Sequence, residues 1–215
     1  MVYASLVAQF IYLHGFASSP RSTKAVFFAE RLRQLGHTVL VPDLEEGDFQ
    51  GLTITRQLAA VRRALATLTG PCTLIGSSMG GYLATLTAEA EPRIERLMLM
   101  APAMDMRARW TVRYGADQLA AWKAKGAAPK YHYGHREERL IGYGLFEDLA
   151  RHESNPAVHV PALVFMGKRD QVVEPEAVEQ WAAQQPLVRL RWLDSGHELI
   201  DQLETIWAES IAFFR

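Results

Sequence analysis

The chain has 215 residues, a length that suits one domain, and 49% of them are hydrophobic against 22% charged, enough to bury a sizeable core. Lys plus Arg is 23 and Asp plus Glu is 24, a formal net charge of −1, which argues against nucleic acid or an anionic membrane held by bulk electrostatics. The one cysteine, Cys72, excludes an internal disulfide and reads as a buried thiol in a cytoplasmic protein. No apolar run reaches spanning length, and Met1 to Phe10 lacks the basic n-region of a signal peptide.

Taken in chain order, Gln9 to Leu13 is an apolar strand running into His14-Gly15-Phe16-Ala17-Ser18-Ser19-Pro20. Ser19 followed by Pro20 predicts a capped helix start; Ala25, Phe28, Ala29, Leu32 and Leu35 form one apolar face, and Gly36 stops the helix. His37 to Val41 is the second predicted strand. An acidic loop then leads to a helix striped by Ile54, Leu58, Val61, Leu65 and Leu68 and ended by Gly70-Pro71. Cys72 to Ile75 is a third strand that runs into Gly76-Ser77-Ser78-Met79-Gly80, and Tyr82, Leu83, Leu86 and Ala90 continue as a helix up to Glu91-Pro92. Arg93 to Met100 is a fourth strand.

Residues 104–157 break the alternation. The stretch is rich in aromatics and charge, has no clean strand before Val160, and is too short and irregular to bury a core of its own; it reads as a lid inserted over the site. The alternation resumes with a strand over Ala162 to Met166, the turn Gly167-Lys168-Arg169-Asp170, and a helix opened by Glu174-Pro175 that runs to about Ala183. Leu187 to Leu193 is the last strand. After Asp194-Ser195-Gly196-His197, a helix carries Ile200, Leu203, Trp207 and Ile211 on one face. Six short apolar strands between amphipathic helices imply a parallel sheet covered on both faces.

Strand, sharp turn bearing a serine, then helix is the context of a nucleophile elbow. Gly76 and Gly80 let strand and helix pass closely, and the Met79 N–H at the helix start faces outward. A serine nucleophile needs a base and an orienting acid. His197 and Asp170 both follow strands at the edge where open α/β sheets place their ligands, in the chain order Ser, Asp, His. Asp105, after the preceding strand, is the rival acid; Asp194 is too near His197 in sequence to reach behind it. His14 reads as structural, bonding backbone in its loop. Phe16 N–H is the natural second oxyanion donor, turned inward by a positive φ at Gly15. No histidine shows metal-ligand spacing to a cysteine or carboxylate, so neither metal nor cofactor is expected.

Tyr12-Leu13-His14-Gly15-Phe16, Gly76-Ser77-Ser78-Met79-Gly80-Gly81, Gly167-Lys168-Arg169-Asp170-Gln171-Val172-Val173 and Gly196-His197 together resemble the α/β-hydrolase superfamily. Within it the chain looks most like small esterases and thioesterases, including the acyl-protein thioesterase (depalmitoylase) branch, whose lid Pro129-Lys130-Tyr131 and Phe146-Glu147-Asp148-Leu149-Ala150 resemble. The resemblance implies a three-layer αβα fold. The family's eight-stranded sheet has its second strand antiparallel; with little chain before Gln9, a trimmed core of about six parallel strands is expected, residues 1–103 and 158–215, with 104–157 as the lid. It also implies Ser78 as nucleophile, Asp170 as acid, His197 as base, and Phe16 and Met79 as oxyanion donors. The expected substrate is a small acyl ester or thioester, an acylated protein included, with no nucleic acid and no membrane span. Acyl transfer, C–C hydrolysis, perhydrolysis and a catalytically silent ligand-binding role stay open.

Overall fold

The computed structural model describes residues 7–214; most of the stretch read for a signal peptide lies outside them. Six parallel strands form one sheet in the order β2-β1-β3-β4-β7-β8: β1 (Gln9–Leu13), β2 (Thr38–Leu40), β3 (Cys72–Ser77), β4 (Ile94–Met100), β7 (Ala162–Gly167) and β8 (Val188–Leu193). All of β3 and β7 is buried, as their unbroken apolar runs require of strands covered on both faces. The chain goes from β1 to β2 in one direction and from β2 across to β3 in the other. Right-handed crossovers therefore place α1 (Thr23–Gln34) on one face and α2 (Ile54–Ala66), α3 (Met79–Ala90) and α6 (Pro175–Ala183) on the opposite face. The last helix, α7 (Leu203–Phe214), joins α1: Trp207 sits 6.1 Å from Phe28 between ring centres. Reversal of winding between β1 and β3 opens the crevice in which ligands bind on such sheets.

Three local readings are corrected. The first helix starts at Thr23, not at Ser19-Pro20. The Ser22 N–H donates to the Ser19 carbonyl at 3.0 Å, so Pro20 occupies the second position of a turn, and Ser22 becomes the cap, its Oγ accepting from Ala25 N–H at 3.4 Å. In the last helix Ile200 is exposed on a preceding 3₁₀ turn, and Ile206 takes the fully buried place.

The third correction lies in residues 104–157, which do contain strands. After α4 (Met106–Lys125), β5 (Ala127–His132) pairs antiparallel with β6 (Glu137–Gly142), followed by the short α5 (Gly144–Asp148). Their alternation is obscured because Pro129 and several charges sit in a two-stranded ribbon apart from the main sheet. Leu119, Trp122, Ile141, Leu145, Phe146 and Leu149 are buried in the same cluster as the sheet core rather than in a core of their own. The Trp122 indole N–H donates to the Ile141 carbonyl at 3.0 Å. Asp148 ties the segment down by accepting from Thr55 N–H at 2.7 Å and Thr55 Oγ1–H at 2.9 Å, in the first turn of α2.

At the end of β3, a Cβ built on Gly80 would lie 2.1 Å from the Leu13 carbonyl oxygen, a backbone atom that cannot give way. Gly80→Ala should therefore lower stability by about 3 kcal/mol or more, the upper range for overpacking, read as a fall in the urea unfolding midpoint.

Candidate active site

Ser78 is held in an unusual backbone conformation, φ 54° and ψ −119°, which costs on the order of 1–3 kcal/mol and needs support from its surroundings. Hydrogen bonds provide it. Ser78 N–H donates to the Met100 carbonyl on β4 at 2.9 Å, and the Ser78 carbonyl accepts from Gly81 N–H at 2.9 Å and Ala103 N–H at 3.1 Å. The side chain thus projects beyond the carboxyl end of the sheet.

The three residues singled out from the sequence meet there. Asp170 Oδ2 lies 2.7 Å from His197 Nδ1, which places the imidazole proton on Nδ1. His197 Nε2 then accepts from the Ser78 hydroxyl at 3.1 Å, across 119 positions of chain. Asp170 is buried, and its other oxygen accepts from Val172 N–H at 2.8 Å and Val173 N–H at 2.9 Å, which fixes the carboxylate. The turns carrying Asp170 and His197 are themselves joined, Arg169 N–H donating to the Ser195 carbonyl at 3.0 Å. The rival acids are occupied elsewhere: Asp105 stands 4.0 Å from Arg109 at the start of α4, and Asp194 pairs with Arg169 at 2.6 Å on the surface.

The loop after β1 faces Ser78, but not by the expected means. Gly15 has no positive φ; that conformation falls on Ala17. Gly15 matters through its missing side chain, since a Cβ there would meet Ser78 Cβ at 3.3 Å. Among the described residues, neither Phe16 N–H nor Met79 N–H is bonded to a backbone carbonyl. His14 is structural as expected: it accepts from Leu44 N–H at Nε2 (3.2 Å) and donates from Nδ1 to the Gly15 carbonyl (3.0 Å), and burial depresses its basicity.

Two features carry no clear sequence signal. Lys24, buried on α1, donates to the Glu198 carbonyl at 2.8 Å and so braces the residue next to His197; desolvation lowers its pKa. His132 at the end of β5 is fully buried and lies 2.8 and 2.9 Å from the two oxygens of Glu45. His135, three residues on, brings a third donor within 4.8 Å, so the group has the makings of a metal site. The hydrogen bonding speaks against it. His132 Nδ1 accepts from His135 N–H at 3.1 Å, so the ring proton sits on Nε2 and is donated to Glu45, leaving no free lone pair for a cation. The pair instead anchors the hairpin to the loop after β2.

Between the insertion and the core lies a cavity of about 1060 Å³ that reaches Ser78 and His197. Phe16, Met104, Met106 and Trp110 give it apolar walls. No helix among the described residues is long and apolar enough to cross a membrane.

Residues 9–215 match the Uncharacterised protein family (UPF0227). The sequence is 25% identical over 174 residues to bovine (Bos taurus) palmitoyl-protein thioesterase ABHD10, mitochondrial, covering 76% of this chain and 57% of that protein. The chain thus spans little more than half the length of this curated relative. Among solved structures, mouse α/β-hydrolase domain-containing protein 10 superposes with a TM-score of 0.81 at 22% identity, over 96% of this chain and 90% of that one. Est1E from Butyrivibrio proteoclasticus, solved with ferulic acid bound, gives 0.76 at 20% identity over 95% and 90%. The fold is that of the α/β-hydrolases.

Burial and the nearby Asp43 carboxylate push Glu45 up to about 7. A carboxyl raised in the folded state binds its proton more tightly there than in the unfolded chain, so its contribution to stability falls as pH rises from the ordinary glutamate range to about 7. Glu45→Gln, which keeps an acceptor for His132 but no charge, should therefore gain on the wild type between about pH 5 and pH 8. Paired melting temperatures across that range check it; an invariant difference would refute it.

Proposed function

The chain belongs to the Uncharacterised protein family (UPF0227), and we propose that it is a serine hydrolase cleaving carboxylic esters or thioesters through an acyl-enzyme. One observation carries this reading: the continuous hydrogen-bonded line from Ser78 Oγ through His197 to Asp170, at 3.1 and 2.7 Å. His197 Nε2 takes the Ser78 proton as Oγ attacks the acyl carbonyl. Asp170 holds the ring in the tautomer that can accept it and stabilises the imidazolium that forms. The N–H groups of Phe16 and Met79 receive the developing oxyanion at the loop after β1 and the first turn of α3. His197 then protonates the leaving alcohol or thiol. The same imidazole activates a water that attacks the acyl-enzyme and frees the acid.

Residues 104–157 are read as a lid over this site, and the apolar walls from Phe16, Met106 and Trp110 suit an acyl chain. Similarity to a palmitoyl-protein thioesterase supports thioesters beside oxygen esters. Buried Cys72, the only cysteine, fits a reducing compartment, and we assign the cytoplasm.

A chromogenic short-to-medium 4-nitrophenyl acyl series tests the reading. Ser78→Ala should lower kcat by a factor on the order of 10⁴ or more with the fold intact by circular dichroism, and should no longer label with a fluorophosphonate probe. Unchanged turnover in that variant would sink the proposal. Asp170→Asn, which disturbs the tautomer but not the packing, should lower kcat by a factor on the order of 10³–10⁴ with a smaller change in KM, measured by the same assay.

A further inference from the structure

The same pocket carries a charge imbalance that ester chemistry alone does not call for. Six cationic side chains line it, Arg21, Lys24, Arg109, Arg113, Lys130 and Arg136, against two acids, Glu174 and Glu198. Both acids are matched: Glu174 pairs with Arg109 across the gap between α4 and the loop before α6, and Glu198 lies 3.9 Å from Lys24. Among the described residues, Arg21, Arg113, Lys130 and Arg136 have no carboxylate within 4.0 Å. In a chain whose net charge is −1, four unmatched cations around one cavity are a local concentration of positive charge. Low-dielectric walls strengthen the field such a group projects into the cavity.

Lys130 is the most informative of the four. Its ammonium stands 4.2 Å from the centre of the Tyr114 ring and donates to the Tyr114 hydroxyl at 2.8 Å. Those contacts hold a half-buried cation against the pocket wall rather than letting it extend into bulk water. Apolar side chains stand beside the cations at the mouth. Val112 is 80% exposed, Tyr133 69% and Val172 54%, and all three line the cavity. Exposed apolar groups interleaved with unmatched cations fit a molecule that is apolar in one part and anionic in another.

We propose that the substrate is an anionic amphiphile, an ester or thioester whose leaving group bears a carboxylate or phosphate recognised by Arg21, Arg113, Lys130 and Arg136 at the pocket mouth. The inference rests on the hydrolase reading and goes beyond it. The charge belongs on the leaving group because that half departs through the mouth, where the cations stand. The apolar acyl part lies deeper, against Phe16, Met106 and Trp110.

The test compares 4-acetoxybenzoate with its uncharged methyl ester, and runs 4-acetoxyphenyl phosphate as the phosphate arm. Hydrolysis of 4-acetoxybenzoate breaks the acyl C–O bond, adds water across it, and releases acetate and 4-hydroxybenzoate. At an ionic strength of about 10 mM, one or both anionic esters should exceed the neutral one in kcat/KM by about tenfold, and the larger ratio names the anion. The advantage should shrink toward unity at about 1 M salt, where screening acts within about 3 Å. In the Arg113→Gln, Lys130→Gln, Arg136→Gln variant, and in the single exposed Arg136→Glu should the triple variant fail to fold, the ratio of anionic to neutral kcat/KM should fall toward one or below. A ratio of one or less in the wild type at low salt, with the neutral ester turned over by a Ser78-dependent route, would overturn the anionic substrate and leave the hydrolase standing. No turnover of any ester, with no fluorophosphonate labelling, would overturn the hydrolase and this inference with it.

Discussion

Everything at the site depends on how closely α3 approaches the end of β1. The Gly80 backbone lies against the carbonyls of Leu13 and His14, and Gly76 faces Gly80 across the elbow. A side chain at either contact would push the helix outward, carrying Ser78 away from the loop that follows β1. The approach also explains the strained backbone of Ser78. A strand and helix that reverse in so few residues leave no ordinary conformation for the residue between them, and β4 supplies the acceptor that keeps it there. The sheet order turns this local packing into a site. With β1 and β3 adjacent, Gly15 and Ser78 come into contact across the crevice, and β7 and β8 bring Asp170 and His197 in from the far side.

The remaining contacts serve to limit movement of the histidine. Its turn is bonded to the Asp170 turn through Arg169 and Ser195, and Lys24 reaches from α1 to the next carbonyl. A buried ammonium is expensive to desolvate, and its direct partner here is a backbone oxygen, with a carboxylate 3.9 Å away. That placement makes sense where the position of the loop carrying His197 matters more than local stability. The insertion is tied to the core by polar contacts as well as by its buried side chains, among them Asp148 on the first turn of α2, His132 on Glu45 and Gly142 N–H on the Gln50 carbonyl.

Much of the fold was legible because buried parallel strands write themselves as apolar runs. Leu163 to Met166 and Leu97 to Met100 have no polar face to obscure them. The meeting of Ser78, Asp170 and His197 was legible for a related reason: each follows such a strand at the same edge, so topology does what sequence distance cannot. Less visible were features set by contacts between segments. The ribbon of Ala127–His132 and Glu137–Gly142 carries charge on exposed positions and takes its pairing only from itself. The start of α1 moved to Thr23 because Ser19-Pro20 and Ser22-Thr23 are both acceptable openings, and only a turn hydrogen bond decides between them. A glycine at position 15 suggests conformational freedom, whereas the fold uses its lack of bulk. Lys24 and Glu45 give no signal at all, since their meaning lies in partners 174 and 87 positions away.

Net charge misleads in the same way, because it sums over a surface that partners meet only in part. A total of −1 bears only on a polyanion held over a broad face by bulk charge. It says nothing about the mouth of a single cavity. Arg113 and Lys130 lie on the insertion and Arg21 on the loop after β1, so the cations converge only when these segments fold together. Surface pairs such as Asp48 with Arg56, Glu91 with Arg93 and Glu204 with Arg31 each cancel one acid against one base and leave no field of their own. A near-neutral chain can thus present a biased site, because the acids that offset these cations in the total lie elsewhere in the molecule rather than around the cavity.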